Sequence, residues 1–433
     1  MPFRSYAVSA SPAKHGDGIH LLITSDGAGG VGIHTETLAA ALQARGHRVT
    51  RACWGTPSPG WSAAGADLLL PGPLEWESER DLPALEASIA AGRATLAHFA
   101  AHAPDPIDVL HCNQFAWAGA VPGVPSVVAA HSDVVSWWRA VHGTAPPANE
   151  YHRWYIHLVR QALEQAAAVV APTQAALADL RESYHWQGAA TVIAHGSDFP
   201  TAATGGSLGM PRAERGNERQ CRSCAANRSP PSSDQHRGPQ RAAQGWQRER
   251  PSEKWRATTR PRQGAVCAGR LGDAGKQAHL LLQPGLPLLV TLAGTPPPGV
   301  GRGRTNLPGV HYAGPLGRQA MAELLARSRI YVAPSRYEPF GLAPLEAARA
   351  GCCLLLNDLP SFRETWGAAA YYFARNDGSD LRRWLQRLAA NDALAAAGAA
   401  AAHRRALALS APRMAMAYEA LYQQISPGVT TPA

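Results

Sequence analysis

Short apolar runs bounded by turn residues recur along this chain, and each is followed by a stretch with helical spacing. Ile19–Ser25 (IHLLITS) is the first such run. The glycine-rich turn Gly27–Gly32 follows it, and then helical spacing over Thr35–Arg45, closed by Gly46, a normal residue just past a helix end. Ile107–His111, Pro125–Ala130, Val169–Ala171 and Thr191–Ala194 repeat the strand pattern. Tyr151–Ala166 and Gln174–Glu182 read as helices between them, the second capped by Thr173. Runs this short and apolar fit strands covered on both faces, so the alternation predicts an α/β fold with parallel sheets. The pattern resumes at Gly264, with strands at Val266–Ala268, Leu288–Leu292, Ile330–Ala333 and Cys353–Leu356. Helical spacing covers Arg318–Ser328, Ala343–Ala350 and Asp380–Leu388. A last amphipathic stretch aligns Met414, Tyr418, Leu421, Tyr422 and Ile425 on one face. The organisation read from this is two α/β domains, 19–198 and 264–410, a closing helix over 411–426, and tails at 1–18 and 427–433.

The interruption between the domains, 199–263, has a different character. From Thr201 to Gln263 the chain carries one residue from Leu, Ile, Val and Phe, namely Leu208. Such a stretch cannot bury enough apolar surface to offset its ordering entropy, so disorder is expected there. It holds 12 Arg and one Lys against five acidic residues, eight of the chain's nine net positive charges. The remaining sequence is almost neutral, so bulk charge argues against a nucleic-acid partner. The abrupt edges of this Arg-rich segment also resemble out-of-frame translation of a GC-rich gene, which resequencing settles. Cys221 and Cys224 have the spacing of half a zinc site, but no second pair lies nearby.

The chain's 433 residues, 45% of them apolar, suffice for two or three domains. No apolar run approaches the ~20 residues that span a bilayer. Residues 1–18 lack the apolar core of a signal peptide. Seven scattered cysteines make no disulfide framework, so a reducing, cytoplasmic setting is expected, compatible with peripheral contact at the inner face of a membrane. There is no Asp-x-Asp pair and no tight His/Cys/Asp cluster in the sequence, so neither a metal nor another cofactor is expected.

The sharpest chemical signal is Tyr337–Gly351, YEPFGLAPLEAARAG, which follows the strand-like IYVAPS. Glu338 falls in a loop, Phe340-Gly341-Leu342 open a helix, and Glu346 lies a turn or two inside it. An exposed helix start offers unpaired N–H groups and the positive end of the dipole, which suits a diphosphate. The two carboxylates flank that point and can accept hydrogen bonds from sugar hydroxyls. The plainer alternatives are a capping glutamate and an ordinary glutamate on the helix surface.

Glu-Pro-Phe-Gly-Leu-x-x-x-Glu-Ala, followed by Ala350-Gly351, resembles the donor-site motif of the family 4 retaining glycosyltransferases. The resemblance implies the GT-B fold, two Rossmann-like domains facing across a cleft. It implies that Glu338 contacts the donor sugar, that Glu346 holds the nucleotide ribose, and that the amides at Gly341 and Leu342, beside Phe340, meet the diphosphate. Ala268–Lys276 (AGRLGDAGK) resembles the segment that supplies an arginine and a lysine to that diphosphate, here Arg270 and Lys276. Lys276 is one of only three lysines, against 38 arginines; a solvated charge at a helix start is the competing reading. Gly29 and Gly30 lie in a turn similar to the family's N-domain glycine loop. Ala28 stands where glycogen and starch synthases place a lysine, which argues against a glycogen synthase. Ala130-His131-Ser132, ahead of Trp137-Trp138, resembles the active-site histidine segment and implies that His131 holds the transferred sugar; alone it reads as a satisfied buried histidine. Asn113 is a further candidate to line the cleft, and Leu359–Glu364 matches a family stretch of structural character.

What the resemblance implies about chemistry is transfer from a nucleotide-diphosphate sugar with retained anomeric configuration. It implies no metal, with the leaving phosphate helping to deprotonate the acceptor. The acceptor is a sugar, a lipid or a small molecule, and polysaccharide biosynthesis is one setting for it. Two readings from other classes stand beside this one. The first is a catalytically impaired relative acting as a binding or scaffold subunit. The second is a basic protein contacting nucleic acid or lipid through 201–263. A phosphorylase is disfavoured, because with Lys276 at the diphosphate no good lysine candidate for pyridoxal remains in the C-terminal half.

Overall fold

The computed structural model describes residues 18–26, 29–55, 68–70, 72, 81–201, 262–296 and 307–426. The expectations of disorder or a frame error over 202–261, the Cys221/Cys224 pair and the character of both tails lie outside the described residues.

Seven parallel strands form the first sheet: β1 (His20–Ser25), β2 (Arg48–Trp54), β3 (Leu68–Leu70), β4 (Val109–Cys112), β5 (Ser126–Ala129), β6 (Ala168–Ala171) and β7 (Ala190–Val192). Their order is β3-β2-β1-β4-β5-β6-β7, with Leu22 of β1 opposite Thr50 on one side and Leu110 on the other. Its helices are α1 (Gly29–Gln43), α2 (Leu82–His102), α3 (Val134–His142), α4 (Glu150–Gln165) and α5 (Gln174–Tyr184). Short polar side chains start several of them. Asp133 accepts from the Ser136 amide at 2.7 Å, Asn149 from His152 at 2.8 Å, and Thr173 from Ala176 at 3.0 Å.

Six parallel strands form the second sheet: β8 (Gln263–Arg270), β9 (Val290–Thr295), β10 (Val310–Gly314), β11 (Ser328–Ala333), β12 (Cys353–Asn357) and β13 (Tyr371–Phe373), in the order β10-β9-β8-β11-β12-β13. Around it lie α6 (Arg318–Arg327), α7 (Leu342–Arg349), α8 (Pro360–Trp366), α9 (Gly378–Ala390) and α10 (Asp392–Ala408). The closing helix α11 (Ala411–Ile425) packs on the first sheet. Its Met414, Tyr418 and Tyr422 share an apolar cluster with Leu21, Ile23, Leu38 and Val109, and the Tyr422 hydroxyl meets His111 Nδ1 at 2.7 Å. No described helix is long and apolar enough to cross a membrane.

Each sheet reverses its winding beside its first strand, between β1 and β4 in one and between β8 and β11 in the other. Such reversals open a crevice at the carboxyl ends of the strands, because the connections there depart in opposite directions. Gly29 and Gly30 follow β1, Asn113 follows β4 and His131 follows β5. Arg270 ends β8, Lys276 follows it, and the Glu338–Leu342 stretch follows β11. The candidate residues are therefore at the edges where this topology places ligands.

Several boundaries differ from the sequence reading. The strand expected over Val266–Ala268 runs for eight residues, Gln263–Arg270, its ends disguised by Gly264 and Gly269. Phe199, assigned to the insert, is buried in the second domain's core beside Leu325 and Leu345, and its carbonyl accepts from Arg349 Nε at 2.7 Å. The sequence pattern does not announce β2, α2 or α10. In β2, Arg48 and Arg51 interrupt the apolar run. The sequence of α10, DALAAAGAAAAHRRALA, is alanine on nearly every face and shows no stripe. Its packing depends on Gly398 instead: a Cβ there would lie 2.5 Å from the Tyr371 ring and 2.8 Å from Cys353 Sγ.

Candidate active site

The loop after β11 is fixed from several sides. Lys276 Nζ donates to Glu338 Oε2 at 2.5 Å, and Ser335 Oγ donates to the same oxygen at 3.1 Å. Ser361 Oγ, on α8, donates to the Glu338 carbonyl at 2.6 Å. Asn357, ending β12, donates through Nδ2 to the Ser335 carbonyl at 2.9 Å. Gly341 then turns the chain into α7 with φ of 94°, a left-handed conformation that side chains resist. A Cβ on it would also meet the Phe362 ring at 2.9 Å. The α7 start is met from the other domain by the first turn of α1, where Gly29–Gly32 are helical and not the turn read from the sequence: a Cβ on the exposed Gly30 would lie 3.6 Å from the tip of the Leu342 side chain, Cδ1.

Arg270, at the exposed end of β8, reaches Asp273 Oδ2 through Nη2 at 3.3 Å. The other oxygen of Asp273 accepts from Trp137 Nε1 at 2.9 Å and from the Gly275 amide at 2.8 Å. Asp273 thus orients the cation and ties its loop to α3 of the other domain. Glu346 lies inside α7 and is buried. Burial pushes its carboxyl up to about 7, with Arg318 pulling it down and Asp198 pushing it up; Arg318 and Asp198 bond each other at 2.6 Å.

On the first domain's side, Asn113 is held in one orientation. Its Nδ2 donates to the Thr24 carbonyl at 2.7 Å and to Thr35 Oγ1 at 3.0 Å. Its Oδ1 therefore faces His131 Nε2 at 2.6 Å and His111 Nε2 at 3.1 Å. Asn113 is consequently a positioning residue for the histidine. The sequence shows no tight cluster of metal-ligating residues, but the fold makes one from distant positions. His34 on α1, His131 after β5 and His195 after β7 each bring a ring nitrogen within 4.8 Å of the others. The His195 ring centroid lies 4.8 Å from that of Phe340, joining this cluster to the α7 start. Burial holds His34 and His131 well below the usual imidazole range, His195 at about 3 and His111 at about 4, so all four are neutral.

Further bonds fix the two halves around the site. Thr173 Oγ1 donates to the Pro339 carbonyl at 2.8 Å, and Arg336 Nη1 to the Val141 carbonyl at 2.8 Å. Glu364 on α8 accepts from the Gln174 and Ala175 amides at 2.7 and 3.0 Å, capping α5 of the other domain. A cavity of about 450 Å³ opens beside Glu338, lined also by Arg139, Asp179, Glu182, Arg336 and Arg375. Arg270, Lys276 and Glu346 are not among its walls. The structure thus joins Lys276 to Glu338, Gly30 to Leu342, and Asn113 to His131, and His195 links His131 to Phe340. Glu346 has its charged neighbours elsewhere, in Arg318 and Asp198. The supporting groups Ser335, Ser361, Asp273, His34 and His195 were not legible as site residues. Asp273 and Ser361 fell inside stretches that carried a resemblance and Ser335 lies two residues before the motif, whereas His34 and His195 had no local signal.

The model of Glycosyltransferase Family 4 matches residues 28–199, and that of the Glycosyl transferases group 1 matches residues 263–391. No curated protein matches the chain in a sequence search. Among solved structures, the sucrose-phosphate synthase of Thermosynechococcus elongatus superposes with a TM-score of 0.66 at 17% identity, covering 95% of this chain and 100% of that one. HepE of Anabaena, in complex with UDP and glucose, superposes with a TM-score of 0.61 at 14% identity, over 93% of this chain and 98% of that one. WaaG, a glycosyltransferase involved in lipopolysaccharide biosynthesis, gives 0.59 at 15% identity, over 94% of this chain and 100% of its own. All share the two-domain GT-B arrangement described above.

Proposed function

The chain belongs to the group 1 glycosyltransferases of family 4, and on that premise we propose that it moves a sugar from a nucleotide-diphosphate donor to a hydroxyl acceptor with retention at the anomeric carbon. The observation that carries the reading is the convergence of Lys276, Glu338, the α7 start and Gly29-Gly30 at the α1 start at the switch points of both sheets. In this reading the diphosphate lies at the amino end of α7, its charge answered by Arg270, Lys276 and the amides near Gly341 and Leu342. Lys276 then divides its donors between Glu338 and phosphate oxygen. Glu338 accepts from hydroxyls of the donor sugar, and His131, its tautomer set by Asn113, accepts through Nδ1 from a hydroxyl of the same sugar. Glu346 accepts from the ribose.

As the sugar–phosphate bond breaks, negative charge grows on the departing diphosphate. The two cations and the helix amides meet that charge more strongly than they meet the ground state, which lowers the barrier. This set of groups suffices without a metal ion in the transfer step. The departing oxygen takes the proton of the incoming acceptor hydroxyl on the same face of the sugar. The cavity beside Glu338, with Arg139 and Arg375 on its walls, is where the acceptor enters.

Incubating the full chain with UDP- and GDP-sugars and an extract of sugar, lipid and small-molecule acceptors, with products read by mass spectrometry, tests the activity. UDP-glucose, suggested by the nucleotide and sugar in the Anabaena neighbour, is the first donor to try. Proton NMR of the purified product should show the donor's anomeric configuration. A product of inverted configuration contradicts the mechanism, and no transfer or donor hydrolysis with any sugar nucleotide contradicts the function.

A further inference from the structure

The histidine trio His34, His131 and His195 holds two imidazoles, His34 and His195, to which sugar transfer gives no role. Asn113 fixes the start of a chain of tautomers. Because its Nδ2 is committed to Thr24 and Thr35, its Oδ1 must accept, so His131 carries its proton on Nε2. His131 Nδ1 is then a bare lone pair, and it points at His195 Nε2, 3.3 Å away. His34 adds a third imidazole, its ring centroid 4.6 Å from that of His131 and 4.4 Å from that of His195. Among the described residues, neither nitrogen of His34 nor Nδ1 of His195, all of them buried, has a hydrogen-bond partner. Buried imidazole nitrogens left this way are costly unless something else engages them.

We infer that His34, His131 and His195 form a binding site for a borderline transition-metal dication, with Zn²⁺ as the fitting ion. Three neutral imidazoles are the ligand set such an ion takes when one position stays open. Tetrahedral zinc with bonds of about 2.0–2.1 Å sets its nitrogen ligands about 3.3–3.4 Å apart, which the His131–His195 pair already meets. The nitrogens of the trio lie within 4.8 Å of one another, so His34 closes the set by a modest ring movement. His131 Nε2–H on the Asn113 carbonyl is the outer-shell bond that orients a metal-bound histidine. On binding, the Nε2 proton of neutral His195 passes to its own Nδ1, and the ion takes the place that proton held between His131 Nδ1 and His195 Nε2. His131 is the partly exposed member, so the ion enters from the cleft. The site does not rest on the glycosyl-transfer reading; because Asn113 holds Nε2–H of His131 and the ion takes Nδ1, a bound ion and a His131–sugar contact exclude each other.

Full-length protein, dialysed against EDTA and then against buffer, is titrated with Zn²⁺ in competition with a chromophoric chelator. It is titrated separately with Co²⁺, read by its visible bands. The expected result is one equivalent per chain, with the intense Co²⁺ absorption of a four-coordinate site and a raised Tm on Zn²⁺ addition. His34→Gln and His195→Gln should each weaken binding roughly tenfold or more. His98→Gln should leave it unchanged, although His98 and His102 form an exposed histidine pair on α2. Absence of a retained equivalent, unaltered affinity in both site variants, or loss only in His98→Gln overturns the assignment. If a site variant proves unfolded by circular dichroism, a six-coordinate Co²⁺ spectrum in the unsubstituted protein overturns it independently.

Discussion

Glu338 is held by Lys276 and Ser335 through one carboxylate oxygen and by Ser361 through its backbone, so its other oxygen keeps a fixed aim. Glu338→Ala should therefore leave the fold intact and cut kcat by about 10²–10³-fold, the scale for removing one preorganised group from a charged transition state. Lys276→Ala should do the same, and steady-state kinetics with the best donor checks both. Glu346 makes a different prediction. Its carboxyl, ordinarily near 4.5, is raised to about 7 by burial, so near neutral pH it is divided between acid and carboxylate. Ribose hydroxyls are better held by the carboxylate, so donor KM should fall as pH rises through about 7 and then level. Glu346→Gln should give a flat profile. The stability linkage has the opposite sign. The folded state binds more protons than the unfolded one between about 4.5 and 7, so this group's contribution is lost as pH rises through that window. At this scale the sequence was legible where chemistry is local: Glu338, Gly341 and Lys276 sit in recognisable strings. His34 and His195 lie 161 positions apart and meet only because both follow strands of one sheet, so no spacing rule could have found them.

Among the elements, two tie the domains together by helix ends and by a final helix. Glu364 caps α5 from α8, answering two amides at the positive end of the helix. Glu364→Ala should cost about 1 kcal/mol of stability, measured by urea unfolding. It should also raise acceptor KM, because α5 lines the cavity beside Glu338. α11 reaches the first sheet, where Tyr422 bonds the buried His111. Tyr422→Phe leaves that nitrogen without a partner and should cost about 1–3 kcal/mol. His111 has its folded value near 4 against an ordinary 6.5, so acid protonates it only on unfolding. Its contribution is whole above about 6.5 and is lost as pH falls towards 4. Tm should drop between pH 7 and 5, and less steeply in His111→Gln. The amphipathic stripe that predicted α11 was legible because every third or fourth residue is large and apolar. α10 was not, because alanine packs on all sides and its fit depends on the space left at Gly398.

For the whole molecule, the alternation of apolar runs and helices was enough to foresee two parallel α/β halves, since each half must cover both faces of its sheet. What the pattern could not supply was the order of strands, and the order is what creates the two switch points that gather the site. The domain edge near Phe199 was misplaced for a related reason. A single aromatic residue beside a polar stretch looks unburied until the core that receives it is known. The central claim is that both halves together hold a nucleotide diphosphate at the amino end of α7. Isothermal titration of the full chain with UDP and with GDP tests it most directly, repeated with Lys276→Ala and with Gly30→Val, which would push a side chain towards Leu342. One site per chain is expected for at least one of the two nucleotides, weakened roughly tenfold or more by either substitution and by added salt. Binding of neither nucleotide, or equal affinity in both variants, would contradict it.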